Sequence, residues 1–344
     1  MTRHVRIIST GGTIASTGGT NESTGGSDSG TGERVDSGKT PTESGEALLE
    51  AVPELESVAS IDVVDVCQVS GFQMDFERAA SALDACEQAG ADGVDGVVVT
   101  HGTDTMAETA YYADSVLETD VPVVFTGSQR SFDQLGTDGP TNLLAAVETA
   151  ADERFRDAGG SYLAFNDTVH AARDVVKGHT SKLETFVSPE RGPIAGFAPN
   201  GLRLLREPGR YAPQFTGERI DPDTRIELIT NGMGVDGTPV ERALESGTDG
   251  IVVAGTGLGN TTEPLGTALE SALADGVPVV LTSRCHAGTT AGVYGGDGGA
   301  KTLVNAGAVR GGDLPPWKAR LTLALSMSTG RDVSEVFDGI DSLV

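Results

Sequence analysis

Short apolar segments that alternate with segments of helical periodicity constrain the fold of this 344-residue chain more than any other feature. Residues 5–9, 96–100 and 122–125 are rich in Val and other apolar residues and too short for helices, so each predicts a buried strand of a parallel sheet. Helical patterns follow, one ending near Ala89 and one from Glu108 to Leu117. Because the alternation continues over roughly 190 residues, the sequence predicts an α/β fold whose larger N-terminal domain is a doubly wound, mostly parallel sheet.

A second α/β segment begins near Arg225. Proline and glycine cluster before it, between Pro189 and Gly217, without steady periodicity. The sequence therefore predicts an N-terminal domain at 1–190, a linker at 191–220 and a smaller C-terminal α/β domain at 221–344. Within the last domain it predicts strands at 225–230, 250–254 and 277–282 and helices at 240–245, 265–274 and 318–327.

Two of the predicted strands run into a threonine-bearing turn. The first is followed by Thr10-Gly11-Gly12-Thr13, and the second by His101-Gly102-Thr103-Asp104. Glycine permits a tight turn and close backbone approach, and ligands of open α/β sheets bind just beyond the carboxyl ends of the strands. The first motif alone fits an ordinary turn or a phosphate-binding loop as well as a reactive site. The pair of threonines with an adjacent Asp favours a reactive site.

Together, TGGTIA at 10–15 and HGTDTM at 101–106 resemble the bacterial- and archaeal-type L-asparaginases, which hydrolyse a side-chain amide through a threonyl ester. The resemblance implies that the chain converts L-asparagine to L-aspartate and ammonia, and that residues 1–190 are the catalytic domain. It extends over nearly the whole chain, through further segments in family order: 124–130, 138–140, 166–168, 173–177 and 250–260.

Four catalytic residues follow from the resemblance. Thr13 would supply the attacking hydroxyl, while Lys177 near Thr103 would favour its alkoxide and Asp104 would hold Lys177 in place. The sequence leaves open whether Thr103 relays a proton from Thr13 or acts in the second half-reaction. For Lys177, the alternative is a solvated lysine that pairs with Asp174.

The predicted substrate-binding set contains Ser70, Gly102, Thr103, Asp104, Ser128 and Asn260. Asp104 would also grip the α-ammonium group of the substrate. Family members place a serine three residues before Met74 to bind the α-carboxylate, but this chain has Gly71 there, so either Ser70 or the backbone amides take that role. Ser128 either faces the substrate amide or is a plain turn residue.

Asn260 matches a family position through which the second domain of a neighbouring subunit closes the active site. The resemblance therefore implies a homo-oligomer, a dimer or a tetramer.

Residues 16–45 are almost all Gly, Ser, Thr, Asp and Glu and cannot bury enough surface to stay ordered alone. Placed after a candidate nucleophile, they predict a flexible lid, with a disordered segment of no consequence as the alternative. The corresponding family loop carries a Tyr that assists the nucleophile, and this one carries none. Either Tyr294 reaches in instead, or Thr103 and Lys177 alone activate Thr13; the second is favoured.

The chain has 50 acidic and 24 basic residues, a net charge of −26. Such a surface repels phosphates and anionic membranes, so neither nucleic acid nor membrane is an expected partner. An acidic surface with few lysines is typical of proteins adapted to molar salt, which points to a halophilic archaeon; the alternative is an acidic enzyme of an ordinary organism.

No metal or cofactor is expected. The three cysteines are scattered, which predicts a reducing cytoplasm and no disulfide framework. The histidines form no close-spaced ligand set, and His101 is expected to support its turn rather than act as a base. Residues 255–260 lack the glycine spacing of a dinucleotide site. No apolar segment is long enough for a secretion signal or a membrane span.

Two other functions remain open. The glutamine amidohydrolase subunit of archaeal tRNA-dependent amidotransfer has nearly the same motifs, but it usually carries an additional amino-terminal domain, and here TGGTIA begins at Thr10. The other is a catalytically inactive amino-acid-binding sensor, which the absence of the lid Tyr favours and the presence of all four candidate catalytic residues opposes.

Overall fold

The computed structural model describes residues 2–18, 39–43 and 45–342. The chain divides into two compact units, Met1–Arg210 and Tyr211–Val344. The first unit is built on an eight-stranded, mostly parallel sheet and the second on a four-stranded parallel sheet. The predicted α/β fold, with a larger first and a smaller second sheet, is confirmed.

The strands of the first unit are β1 Arg3–Gly11, β2 Ser16–Gly18, β3 Lys39–Pro41, β4 Ala59–Val69, β5 Gly96–Thr100, β6 Val123–Thr126, β7 Ser161–Phe165, β8 Thr168–Ala171, β9 Val176–Lys177, β10 Phe186–Val187, β11 Ala195–Ala198 and β12 Gly201–Leu204. Its helices are α1 Gly45–Glu50, α2 Phe76–Ala91, α3 Met106–Val116, α4 Gly139–Ala151 and α5 Glu153–Ala158. Short 3-10 turns lie at Thr13–Ala15, Pro53–Ser57 and Gly71–Gln73. The large sheet has the order β12-β11-β8-β7-β6-β5-β1-β4, and smaller ladders pair β9 with β10 and β2 with β3.

Strand β1 lies between β5 and β4 and is parallel to both. Every residue of β5, β6 and β7 is buried, as is the carboxyl half of β1, which explains why these strands read as unbroken apolar runs. In register, Ser9 lies opposite Thr100 and Gly11 opposite Val69. The turns that follow β1, β4 and β5 therefore meet at one edge of the sheet.

Two local predictions differ from the structure. The segment 191–210, expected to belong to a linker, is part of the first unit: β11 pairs with β8, and Ile194 is fully buried. Residues 46–58 have the apolar spacing of a helix in the sequence, which predicts one helix over this range. The structure has only α1 there, followed by a 3-10 turn that starts at Pro53, because proline cannot donate the backbone hydrogen bond that would continue a helix.

The second unit contains β13 Ile226–Thr230, β14 Gly250–Gly255, β15 Val279–Ser283 and β16 Val309–Arg310, in that order across its sheet, with α6 Thr238–Glu245, α7 Glu263–Ala274, α8 Ala300–Asn305, α9 Pro316–Thr329 and α10 Val333–Ser342. Strand β14 is fully buried between β13 and β15. The hydrophobic core of the second unit is aliphatic and includes Ile251, Leu269 and Leu281.

The predicted lid lies largely outside the described residues, which omit 19–38 and 44. At its two ends, β2 and β3 pair antiparallel, with Ser16 opposite Pro41. All three cysteines are free thiols. Within residues 2–18, 39–43 and 45–342, no helix is both long and apolar enough to cross a membrane.

Candidate active site

Three glycines bring the turns after β1, β4 and β5 into backbone contact. Gly12 has φ +81°, a conformation that favours glycine. A Cβ added at Gly12 would lie 2.4 Å from the amide nitrogen of Gly102, and one at Gly71 would lie 2.8 Å from the carbonyl carbon of Gly102. Side chains at these positions would force the turns apart. The close approach places the flanking hydroxyl residues at one edge of the sheet: Thr13, Ser70 and Thr103.

Thr13 is the first residue of its 3-10 turn and is half-buried. The neighbouring hydroxyls are already bonded: Thr10 donates to the carbonyl oxygen of Thr100 at 2.8 Å, and Ser16 donates to that of Gly12 at 2.8 Å. The Thr13 hydroxyl has no hydrogen-bond partner among the residues that the structure describes. It is therefore the hydroxyl of this segment that can engage a ligand without breaking an internal bond.

Lys177 contacts two residues of the HGTDTM motif. From the end of β9, its Nζ donates to Thr103 Oγ1 at 2.8 Å and to Asp104 Oδ1 at 2.7 Å. The lysine side chain is 18% exposed and that of Asp104 53% exposed, so the carboxylate faces solvent while the ammonium is sheltered. The alternative pairing of Lys177 with Asp174 is wrong, because Asp174 is buried between Arg173, at 3.3 Å, and Arg206, at 2.5 Å.

This geometry prepares Thr103 to exchange a proton. The ammonium of Lys177 donates to Thr103 Oγ1, so the hydroxyl proton of Thr103 must point to another acceptor. A positive charge at 2.8 Å also stabilises negative charge on that oxygen, and more strongly in this buried position than in water. The arrangement can therefore accept a proton from, or return one to, a group bound in front of Thr103.

His101 supports the turn, as expected. Its ring is fully buried, Nδ1 bonds the carbonyl oxygen of Gly102 at 2.8 Å, and Nε2 lies 3.0 Å from Thr109 Oγ1. A carbonyl can only accept, so Nδ1 carries the proton and Nε2 accepts from Thr109. Desolvation by burial lowers the pKa of His101 to about 4. The ring is neutral at physiological pH, and both nitrogens are occupied.

The turn after β4 offers both groups that the sequence leaves open for the α-carboxylate. Ser70 precedes the 3-10 turn at 71–73, and its hydroxyl has no partner among the described residues. Thr105 Oγ1 donates to the carbonyl oxygen of Gly71 at 2.7 Å and ties this turn to the HGTDTM segment. Because the backbone of Gly102 excludes a Cβ at position 71, the serine that the family resemblance leads one to expect cannot stand there on this backbone.

Two residues of the predicted substrate-binding set have other partners. Ser128 is fully buried and donates to the carbonyl oxygen of Arg130 at 2.6 Å, which favours the turn residue over the substrate contact. Asn260 belongs to the second unit, where its Oδ1 accepts from the amide of Ala300 at the start of α8, at 3.0 Å. Tyr294 is also in the second unit and is 59% exposed.

Sequence reasoning missed the residues that follow Lys177. A pocket of about 260 Å³ is lined by Asp104, Lys177, Gly178, His179 and Thr180. The only sequence signal is their position directly after the lysine. Within the described part of the chain, no three His, Cys, Asp or Glu side chains are grouped in a way that could hold a metal ion.

Comparison with known proteins covers both units. Residues 4–210 match the family model "Asparaginase, N-terminal", and residues 225–338 match the "Glutaminase/Asparaginase C-terminal domain". The L-asparaginase 2 of Escherichia coli is 33% identical over 337 residues, covering 97% of this chain and 91% of that protein. One subunit of the glutamyl-tRNA(Gln) amidotransferase of Methanothermobacter thermautotrophicus is 34% identical over 317 residues, covering 91% of this chain and 69% of that protein.

A solved structure shows the same fold. The probable cytoplasmic L-asparaginase of Campylobacter jejuni superposes with a TM-score of 0.83 at 28% identity, covering 97% of this chain and 99% of that one. Two family models that together span most of the chain, relatives above 30% identity and this superposition agree. The chain belongs to the asparaginase family.

Proposed function

We propose that this protein is an amidohydrolase that converts L-asparagine to L-aspartate and ammonia through a threonyl-ester intermediate. The observation that carries the proposal is the contact of Lys177 with both Thr103 and Asp104, at the sheet edge where the Thr13 hydroxyl has no partner among the described residues. Family membership and the E. coli relative named L-asparaginase 2 support the substrate.

In the first half-reaction, Thr13 Oγ attacks the side-chain amide carbon. The C–N bond then breaks, and the hydroxyl proton of Thr13 is passed to the nitrogen. Ammonia departs, and the acyl group remains bound to Thr13 as an ester. An amide is a poor electrophile, so the nucleophile needs help with its proton. Thr103, held by Lys177, is the group that supplies it.

In the second half-reaction, water attacks the ester carbonyl. One water proton returns to Thr13 Oγ as the C–O bond breaks, and the product is L-aspartate. Thr103 and Lys177 serve this step as well, because the same oxygen can take the proton from water. Thr103 with Lys177 then passes a proton from Thr13 to the leaving nitrogen in the first half-reaction and from water to Thr13 Oγ in the second.

Two kinds of group are available to orient the substrate: a negative charge and neutral hydrogen-bond donors. The exposed carboxylate of Asp104 suits the α-ammonium group, while the Ser70 hydroxyl and the amides of the 71–73 turn suit the α-carboxylate. Together with Gly102 and Thr103, these groups would position the amide in front of Thr13. Fixing the reacting atoms in this way lowers the barrier by removing rotational and translational freedom.

The test is ammonia release from L-asparagine and L-glutamine by the chain alone, in about 3 M salt to screen its charge. Turnover of asparagine without a partner supports the proposal. Binding of asparagine without ammonia release would instead identify an inactive sensor.

One observation favours a second candidate. The amidotransferase subunit of M. thermautotrophicus is 34% identical to this chain, close to the 33% of the E. coli L-asparaginase 2, although the match covers only 69% of that subunit. A glutamine amidohydrolase would release ammonia from glutamine, and only in the presence of its partner subunit. Asparagine turnover by the chain alone supports the first function, and glutamine turnover only after a partner subunit is added supports the second.

Molar salt is the proposed working environment. The net charge of −26 makes the surface repel itself in dilute buffer, whereas at 1 M salt the Debye length falls to about 3 Å. The melting temperature and activity should both rise up to molar KCl. Equal melting temperatures in dilute buffer and molar KCl would refute adaptation to salt and the proposed halophilic source.

A homo-oligomer, dimer or tetramer, is also proposed, since the family resemblance implies that Asn260 occupies a position through which the second domain of a neighbouring subunit closes the active site. Sedimentation in molar salt would decide the stoichiometry. The cytoplasm is the proposed compartment, which the three free cysteines support.

A further inference from the structure

The turn that follows β9 is closed by a histidine. His179 Nδ1 accepts hydrogen bonds from the backbone amides of Ser181 and Lys182, both at 3.0 Å. A ring nitrogen that accepts two N–H groups carries no proton, so the ring is neutral with its proton on Nε2. Asn and Asp side chains close turns in the same way.

This turn belongs to a minimal hairpin that presents Lys177. Strands β9 and β10 pair through only two residues each, with Phe186 opposite Lys177. Such a short ladder has little stability of its own. The hairpin is closed further by Gly178 N–H, which donates to the carbonyl oxygen of Thr185 at 2.7 Å, and by Thr185 Oγ1, which donates to the carbonyl oxygen of His179.

His179 also lies beside the catalytic lysine. It lines the pocket of about 260 Å³ together with Asp104 and Lys177. Asp104 and Lys177 are the charged residues that line this pocket with it, and its own hairpin also carries Lys182 and Glu184. We infer that His179 is a positioning residue for the amide hydrolysis proposed above: its neutral ring latches the turn that holds Lys177 against Thr103 and Asp104, and protonation of the ring releases the latch.

The physical step is the gain of one proton. A proton on Nδ1 turns the acceptor into a donor that faces two other donors, so both turn hydrogen bonds are lost. The inference rests on the proposed function for its effect on turnover, but not for the latch itself.

The experiment compares His179→Ala, His179→Asn and the control Ser181→Ala, whose side chain takes no part in the turn. At pH 8, His179→Ala should lower kcat about tenfold with KM within about twofold, because the lysine is misplaced while substrate contacts remain. His179→Asn should restore kcat to within about threefold, since its Oδ1 can accept the same two amides. Ser181→Ala should behave as the wild type.

The pH profile separates a latch from mere packing. Wild-type kcat should fall on acidification more steeply than that of His179→Asn, because an amide oxygen takes up no proton that would break the two turn hydrogen bonds. Parallel profiles of the two proteins, or wild-type kcat in His179→Ala at pH 8, would overturn the inference.

Hydrogen exchange of the segment 177–187 provides a readout without substrate. Exchange should be faster in His179→Ala than in the wild type and equal in His179→Asn; equal exchange in all three would overturn the latch. If the wild type released no ammonia from either amide, the proposed function would fail, and this measurement would still decide the latch.

Discussion

The turns after β1 and β14 have similar residues but different contacts. Each belongs to the carboxyl end of an interior strand that is parallel to both of its neighbours and combines glycine with threonine, at 10–13 in the first unit and 255–260 in the second. Gly12 packs against the backbone of Gly102 from another strand's turn, whereas a Cβ on Gly255 would lie 2.7 Å from Gly259 within its own turn. The first turn is therefore built against a neighbour and the second is folded onto itself.

The threonine hydroxyls of the two turns differ in the same way. Thr256 donates to the carbonyl oxygen of Asn260 at 3.1 Å, so its hydrogen bond closes the turn. Thr13 has no such partner among the described residues. A glycine-rich turn at a strand end is thus not by itself a reactive site; a second turn in contact and an uncommitted hydroxyl make the difference.

Removing each hydroxyl tests the comparison most strongly. Thr13→Ala should lower kcat about a thousandfold or more while asparagine still binds, because the nucleophile is lost. Thr256→Ala should lower kcat no more than about fivefold and reduce the melting temperature instead, since it breaks a turn hydrogen bond. Steady-state kinetics, asparagine titration and thermal unfolding would show this. More than about a tenth of wild-type activity in Thr13→Ala would eliminate Thr13 as the nucleophile.

The second prediction concerns the HGTDTM turn, which contacts the turn after β1 and has no counterpart beside the turn after β14 among the contacts described above. Thr103→Val and Lys177→Met should each lower kcat about a hundredfold or more, because the proton relay is interrupted. Lys182→Met is the matched control: it removes a lysine of the same hairpin whose backbone, not its ammonium, makes the contact with His179. A mild effect of Lys177→Met in ammonia-release assays would contradict the relay.

Adding one methyl group to each turn should produce a smaller, structural effect. Gly12→Ala combines a backbone clash with a positive φ and should destabilise by about 2–5 kcal/mol. Gly257→Ala in the second turn has φ +53° but nothing within 4 Å of the new Cβ, so a loss of about 1–2 kcal/mol is expected. Denaturant unfolding measures both. Equal losses would mean that the first turn does not depend on its contact with Gly102.

The last prediction concerns the pH dependence of stability. Burial lowers the pKa of His101 to about 4, below its unfolded value of 6.5. Its contribution is therefore complete above about pH 6.5 and is lost as the pH falls towards 4, where the unfolded chain binds a proton that the folded one refuses. His101→Gln should make the melting temperature depend less on pH over this range. Thr256→Ala should shift the curve without changing its slope, since residues 255–260 contain no histidine.

The part of the fold that can be predicted from sequence is the part buried on both faces. Strands β5 and β14 are continuous apolar runs, so their position is readable. Strands β9, β10 and β16 have two residues each, and β11 and β12 are partly exposed, so no periodicity marks them. That is why the sequence of residues 191–210 predicts a linker where the structure has two strands.

The site divides in a similar way. Thr13 and Thr103 follow strands that the sequence predicts, and Lys177 is identified by family resemblance. The bond from Ser128 to Arg130, the exclusion of a side chain at Gly71 and the turn closed by His179 depend on backbone positions that no local pattern encodes.

The contact of Lys177 with Thr103, 74 residues earlier, also has a consequence for protein synthesis. Beyond β5, the large sheet adds β6, β7, β8, β11 and β12 in chain order, so it can grow at one edge as the polypeptide leaves the ribosome. At about 5–20 residues per second, the lysine emerges roughly 4–15 s after the threonine. During that interval the nascent chain carries the proposed nucleophile but not the ammonium group, so we expect a polypeptide released before residue 177 to be folded in part and inert towards asparagine.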